Sequence, residues 1–397
     1  LTMNYRLGSP ADLSFGSLVS FFHQNFRHSR MMRFSAIVII AASCLAAPAF
    51  AWEEVSGLRF EDKGEARDLL VALDRQRAYI NAMSGGATLR IGGARISKEQ
   101  LLSGIHKMTG IVLNHYDKAD FSDQVNAAFR VYRTSSPKKA RKAHFTAYFD
   151  PVLEASTVRT DRFRFPIYKR PADLIESGGK AYRKSGGKKI LYYTRAKIEG
   201  GALTGRGLEA AWVDDYVELH FLHIQGSGYL RFADGSMATL HVSGTNGYGF
   251  KSAVRMIQRK GLCSGAYMES KLYLKNHPDI AAAYLPQNPR YIFFKTSDEP
   301  PSGIGGIPLT PGRTIATDKP RYPVGAIAYI RYNAPVVDEN GKVMLTKSTS
   351  RFVVDSDTGN AIRGAGRADL YMGTGPKAEL LAGAVNTYGE MYYLIPR

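Results

Sequence analysis

Three aspartates, Asp355, Asp357 and Asp369, punctuate the run 354–371, crowded among glycines and β-forming residues. A carboxylate is costly to desolvate unless something uses its shifted ionisation, so acid–base chemistry is to be sought here. The tripeptide Asp357-Thr358-Gly359 occurs once and is followed by Asn360, so the shared-proton dyad of an aspartic protease cannot be built within one chain. His220 and His223 lie in an apolar run, 217–223, that reads as a strand; three apart, they would point to opposite faces and make no metal pair. No pairing of Ser or Cys with His marks a nucleophile, and Cys263 reads as packing. Gln225-Gly-Ser-Gly228, between two expected strands, reads as a hairpin turn or as hydrogen-bond donors lining a sugar groove.

The elements that must position these residues fall into zones. Residues 65–83 carry Leu69, Leu73 and Ile80 near helical spacing. Ser97-Lys-Glu-Gln100 is a capping box opening a second helix with Leu101, Leu102 and Ile105, and 123–133 reads as a third. From residue 145 short runs of Tyr, Phe, Val and Ile alternate with Gly and Pro, giving strands over 145–149, 163–168, 190–193, 217–223, 229–232 and 237–242. A helix is expected over about 249–260, stopping at Gly261, and a helical patch over 280–284. Strands resume over 291–295, 326–332, 351–354, 368–372 and 391–395, and the Gly- and Pro-rich stretch 300–311 reads as a domain junction. The fold class is mainly β with helices, an α+β chain.

At the start, Met31, Met32 and Arg33 precede an apolar run over 34–42, and Ala49-Phe50-Ala51 supplies a signal-peptidase pattern. Residues 1–51 therefore read as an over-extended start plus a signal peptide, cleaved after Ala51. A rival reading acylates Cys44 as a lipoprotein, but the apolar stretch continues beyond it and Leu is missing three residues before it. Release into the periplasm is the favoured expectation, with outer-membrane association through Cys44 as the alternative. Cleavage leaves Cys263 alone, so no intramolecular disulfide is expected. About 345 residues suit two domains, and no later segment nears the roughly twenty apolar residues of a membrane span. A formal charge of +18 fits an acidic wall polymer as readily as nucleic acid, or simply a basic solvated surface.

Seven separated segments together resemble the membrane-bound lytic murein transglycosylase A family. They are Phe145-Thr-Ala-Tyr-Phe-Asp-Pro151, Gly207-Leu-Glu-Ala-Ala-Trp-Val-Asp-Asp215, His223-Ile-Gln-Gly-Ser-Gly-Tyr-Leu-Arg231, Gly244-Thr-Asn-Gly247, Leu285-Pro-Gln-Asn-Pro-Arg-Tyr-Ile-Phe-Phe-Lys295, Ile307-Pro-Leu-Thr-Pro-Gly-Arg313 and Asp357-Thr-Gly-Asn-Ala-Ile-Arg-Gly364. The resemblance covers nearly all of the exported chain, in order. It implies a double-psi β-barrel, the three-aspartate domain, from 52–148 and 290–397, a second β domain inserted over 149–289, and a groove between them for glycan.

The implied reaction cuts the β-1,4 bond between N-acetylmuramic acid and N-acetylglucosamine and leaves a 1,6-anhydro end. A hydrolase needs two placed carboxyls. Here the sugar's own carbon-6 hydroxyl attacks, tethered at high effective concentration, so one carboxyl can serve as acid and then as base. By resemblance that carboxyl is Asp369 in Arg367-Ala-Asp-Leu-Tyr371, with Asp357 as a supporting charge or, equally, as a holder of a barrel loop through backbone hydrogen bonds. Tyr148, Gln225, Ser227 and Lys295 are the expected substrate contacts. Asp318 and Arg363 are possible supports, Asp318 more readily as a loop holder, while Asp355 is expected to point away. The resemblance calls for no cofactor, no metal and no nucleic acid; the partner is a peptidoglycan strand, and the chain is expected as a monomer, with a wall-enzyme complex as a further expectation. A water-using glycoside hydrolase and a non-catalytic, expansin-like wall-binding module are the rival classes.

Overall fold

The computed structural model describes residues 52–83, 88–91, 94–134, 142–359 and 362–397. The expected signal peptide and Cys44 lie outside these residues. Among the described residues no helix is long and apolar enough to cross a membrane. The chain is mixed α+β.

Six strands close on themselves as a barrel, in the order Ala143–Asp150, Arg367–Thr374, Thr314–Thr317, Val343–Asp357, Ile327–Val337, Asn386–Pro396. Closure comes from the last strand, whose first residues pair back onto the first strand through Asn386 with Thr146 and Tyr388 with His144. The later half of that strand pairs instead with Phe129–Thr134, which carries Trp52–Val55 at the edge. Residues from distant parts of the chain fill one core, among them Phe145, Ile315, Tyr329, Phe352, Leu370 and Tyr393. The helices Ala66–Ala82 and Lys98–His115 cover it with Leu69, Leu73, Ile105 and Met108.

The second helix starts at the capping box read from the sequence. Ser97 Oγ accepts from the Gln100 amide at 3.3 Å, and Gln100 Oε1 accepts from the Ser97 amide at 2.9 Å. The third helix, Phe121–Ala128, is shorter than expected. The chain turns to strand at Phe129 because Phe129, Val131 and Thr134 are drawn into the core by pairing with residues near the C-terminus.

A second sheet of six strands runs in the order Ile292–Ser297, Met237–Thr245, Gly228–Arg231, Val152–Ser156, Glu209–Val213, Phe165–Tyr168. Ile292–Ser297 belongs here, paired with Met237–Thr245, although the sequence reading placed everything from 290 with the barrel. The Gly- and Pro-rich stretch 300–311 then leads to Thr314–Thr317 of the barrel.

The run 217–223, read as a strand, is the helix Tyr216–Gln225. Asp215 caps it, its Oδ1 accepting from the Val217 and Glu218 amides at 2.8 and 2.9 Å. Gly226 ends it in the left-handed conformation, φ 91°, where a side chain would be strained. Val217, Leu219, His220, Phe221, Leu222 and His223 are all buried, so apolar residues surround the helix and no helical period survives in the sequence. Two further helices, Tyr267–Asn276 and Pro376–Ala384, were not foreseen.

Candidate active site

The short strand Thr314–Thr317 lies between the two strands that carry the aspartates. Ala316 is opposite Asp357 on one side and opposite Asp369 on the other. Residues directly opposite share a face, so both carboxyls leave the barrel on the same side, their backbones about 10 Å apart, two strand spacings. Ile315 is opposite Asp355 and Leu370, both buried, and faces the barrel interior.

Asp355 and Asp357 are two apart and would ordinarily share a face. Between Ile315 and Ala316 the register slips, leaving Ser356 as an extra residue. This β-bulge turns the two acids to opposite sides. Asp355 is wholly buried, ion-paired with Lys319, and accepts hydrogen bonds from Thr317 Oγ1 at 2.8 Å and Tyr393 Oη at 2.6 Å. Burial pushes its pKa up, against the opposing pull of Lys319 and these donors. The expectation that Asp355 points away describes what is seen, with the bulge as the cause.

Asp357 accepts from Tyr148 Oη at 2.5 Å through Oδ2 and from the Thr358 amide at 2.8 Å through Oδ1. Burial lifts its pKa to about 6, opposed by the Tyr148 and Thr358 hydrogen bonds and by the Lys319 charge. Burial, then the neighbouring Asp357 charge, in turn pushes the Tyr148 phenol well above its ordinary value.

Asp369 is held differently. Thr146, directly opposite on the neighbouring strand, donates to Oδ1, and the Arg367 guanidinium reaches the same oxygen at 2.6 Å. Among the described residues no donor reaches Oδ2. Thr146, Tyr148 and Asp150 alternate along Ala143–Asp150 and so line one face beside Asp369 and Tyr371. Tyr148 and Tyr371 are register partners with ring centres 5.2 Å apart.

Asp150 was missed from the sequence, although the period of two through Thr146 and Tyr148 points to it. It accepts from Ser227 Oγ at 2.5 Å and from Tyr371 Oη, and burial pushes its pKa up against both bonds. Ser227 follows the helix Tyr216–Gln225, so this contact ties that helix's end to the barrel. Gln225 adds a bond, its Oε1 accepting from the Phe149 amide at 3.4 Å. The expected sugar contacts Gln225 and Ser227 are thus engaged with the barrel strand.

Lys295 lies apart from this row. Opposite His241 in the second sheet, it lines a cavity of about 250 Å³ shared with His241, Ser297, Glu299 and Ser302. The loop beyond that cavity reaches the site at Gly303, which packs on Ser356 and Asp357 so closely that an added Cβ would collide. Asp318 clamps a loop: it accepts from the Gly364 amide at 2.8 Å and pairs with Arg363 at 3.2 Å and Arg321 at 3.3 Å.

His220 and His223 lie on a helix rather than a strand, one turn apart on the same buried side. His223 Nδ1 accepts from Arg195 Nη2 at 2.8 Å. Burial, then the Arg195 charge, holds both imidazoles well below their ordinary pKa. Among the described residues no group of three metal-ligating side chains occurs.

The chain matches two family descriptions in succession, the MltA specific insert domain over residues 144–295 and the 3D domain over 313–395. It is 30% identical over 256 residues to the membrane-bound lytic murein transglycosylase A of Escherichia coli K12, a match covering 63% of this chain and 65% of that protein. The match to the Vibrio cholerae protein of the same name is also 30% over 256 residues, 63% of this chain and 64% of that one. The chain therefore spans somewhat under two thirds of the curated relatives it matches. In structure it resembles a membrane-bound lytic murein transglycosylase from Agrobacterium tumefaciens, with TM-score 0.71, 26% identity and coverage of 88% of this chain and 98% of that one. It shares its fold with E. coli MltA bound to chitohexaose, with TM-score 0.69, 22% identity and coverage of 87% and 94%. With the insert domain and the 3D domain in order, and the same barrel and second sheet, this chain belongs to the MltA family.

Proposed function

We propose that this chain is a lytic transglycosylase of the cell envelope that cuts peptidoglycan between N-acetylmuramic acid and N-acetylglucosamine and leaves a 1,6-anhydromuramoyl end. The observation that carries this reading is the placement of Asp357 and Asp369 on one face of the barrel, across Ala316, with Thr146 and Tyr148 beside them. The names of the relatives, and the chitohexaose held by the E. coli protein, support a glycan strand as the ligand.

In this mechanism Asp369 carries its proton on Oδ2, while Thr146 and Arg367 hold Oδ1 and fix the carboxyl's direction. That proton passes to the glycosidic oxygen as its bond to carbon 1 breaks. The muramoyl carbon-6 hydroxyl then closes on carbon 1 and gives its proton back to Asp369, so no water is consumed. Asp357, mostly ionised at pH 7 with a pKa of about 6, supplies negative charge opposite the oxocarbenium-like ring. Tyr148 holds Asp357, and Asp318 with Arg363 holds a loop of the barrel. The ligand is a peptidoglycan strand, with no cofactor and no nucleic acid, and a monomer suffices for the chemistry. The chain divides functionally into the barrel, with the catalytic acid, and the inserted sheet, which forms the other wall of the groove.

One observation favours a second assignment of the acid: burial brings Asp357 to a pKa of about 6, while the Asp369 carboxylate is engaged by the Arg367 guanidinium. Digesting purified murein and weighing the products tests the reaction. Products lighter by one water mean transglycosylation, reducing ends mean hydrolysis, and intact sacculi mean binding alone. Asp369→Asn and Asp357→Asn, compared in the same digest, separate the two assignments of the acid.

A further inference from the structure

A cavity of about 360 Å³ opens in the second sheet where the turn after Met237–Thr245 meets the hairpin strand Lys180–Ser185. Its lining includes Lys180, Thr245, Tyr248, Phe250, Arg290 and Glu176. Gly247, at φ 73°, lets the turn press onto the backbone of Ala181, where an added Cβ would collide with the peptide nitrogen. The cavity wall is therefore a built contact between the turn and the hairpin.

Its charge is unbalanced. Arg290 is half-buried; among the described residues its side chain reaches only the Tyr248 carbonyl, at 3.5 Å, and no carboxylate pairs with it or with Lys180. Glu176, the acid in the lining, is already engaged by Arg170 at 2.5 Å and by the Thr245 amide at 3.1 Å. A guanidinium withdrawn from water without a counter-charge is costly, and burial lowers the pKa of Arg290 accordingly. The nearby cation Arg195 is spent on Glu199. An anion entering the cavity would meet a planar donor fork from Arg290 and an ammonium from Lys180, with the exposed Phe250 ring as an apolar wall.

We propose that this cavity is an anion site that takes a carboxylate of the wall peptide. The inference rests on the peptidoglycan reading given above and adds which part of the substrate is held. A single guanidinium suits a planar carboxylate, and Phe250 suits an alanyl methyl beside it. Thr245 lies four residues along one strand from His241, which lines the cavity that adjoins the Asp357 loop, and the register slip between Val242 and Gly244 turns the two residues to opposite faces of the sheet. A peptide stem branching from a glycan at the His241 cavity would pass around the end of this strand to reach Arg290.

The test is calorimetric titration of the full chain with two probes: the tetrapeptide stem released from murein by an amidase, and the same peptide with its carboxylates amidated. The acid form should bind, with the amidated form at least tenfold weaker. Arg290→Gln should weaken the acid form at least tenfold, and Arg290→Lys by less. Lys180→Gln, at an exposed position that carries little folding risk, should weaken it several-fold. Equal binding of the two probes, or unchanged binding by both Gln variants, would overturn the proposal. Displacement of the peptide by equimolar inorganic phosphate would assign the site to phosphate and overturn the wall-peptide source. Binding is read without turnover, so failure here and failure of the lytic reading are separate results.

Discussion

Tyr148 and Asp357 are joined by a 2.5 Å hydrogen bond between two separate stretches of the barrel, and this bond opposes the burial that lifts the carboxyl to a pKa of about 6. Tyr148→Phe removes the donor without opening a large cavity. The anion of Asp357 loses support, so its pKa should move above 6. The limb of the pH–rate profile that reports this group should shift to higher pH by up to about one unit, equal to about 1.4 kcal/mol of lost hydrogen bonding. An unmoved limb would separate Tyr148 from the titrating group.

Asp357 also couples stability to pH, with a definite sign. Its folded pKa, about 6, lies above the ordinary 3.8, so between those values the native state binds more protons than the unfolded chain. Stability from this group is therefore greatest below pH 4 and declines as pH rises to about 6, after which it is level. A rise of about two units is worth up to about 3 kcal/mol. Asp357→Asn removes the buried charge and keeps an acceptor for Tyr148, so it should melt higher than the parent at pH 8 and show no such gain at pH 4. Calorimetric melts at the two pH values decide it.

Asp369→Asn keeps the size of the side chain and can still accept from Thr146, but it removes the oxygen that the proposed mechanism uses to carry the proton. Turnover of murein should fall at least a thousandfold, within the usual span for loss of general acid–base catalysis. The melting temperature should change by only a few degrees. Muropeptide mass analysis with a matched melt checks both. Turnover that survives in Asp369→Asn and disappears in Asp357→Asn would transfer the acid role to Asp357.

Much of this arrangement could be read from local sequence, and the remainder depends on distant pairing. The capping box at Ser97, the barrel strands around Tyr329, Phe352 and Leu370, and the seven family segments are local patterns. The helix Tyr216–Gln225 was hidden because burial on every side removes the polar face that reveals a helical period. The bulge at Ser356 was hidden because it exists only against Thr314–Thr317, some forty residues away. Asp150 stood in plain alternation with Thr146 and Tyr148. What marks it as important is Tyr371, which reaches it from the late strand Arg367–Thr374.

Lys319, partly exposed, pairs with the fully buried Asp355 on the interior side of the bulge, behind the face that carries Asp357 and Asp369. Asp355 is fully buried and its other donors, Thr317 and Tyr393, carry no formal charge. Lys319→Met would leave a desolvated carboxyl with neutral partners only, a change that typically costs about 3–5 kcal/mol. Protonating Asp355 would relieve that cost, so the variant's loss should be large at pH 8 and smaller near pH 5. A pH-independent loss would mean that Lys319 acts through packing.

Ser227 distinguishes a sugar contact from an interdomain tie. Its hydroxyl donates to Asp150, and Asp150 also accepts from Tyr371 Oη, so the end of the helix Tyr216–Gln225 is fastened to the barrel strand beside Tyr148. Ser227→Ala leaves a buried carboxyl one donor short, and stability should fall by about 1–3 kcal/mol. If the hydroxyl is a tie, KM should rise for long and short glycans alike, because the whole wall shifts, and Ser227→Thr, which keeps the donor, should recover most of the loss. If it is a sugar contact, the melt should be unchanged and the rise in KM should appear only with glycans long enough to reach one subsite. Thermal melts and KM values for a series of glycan strands of graded length distinguish the two, and the Asp150 bond favours the tie.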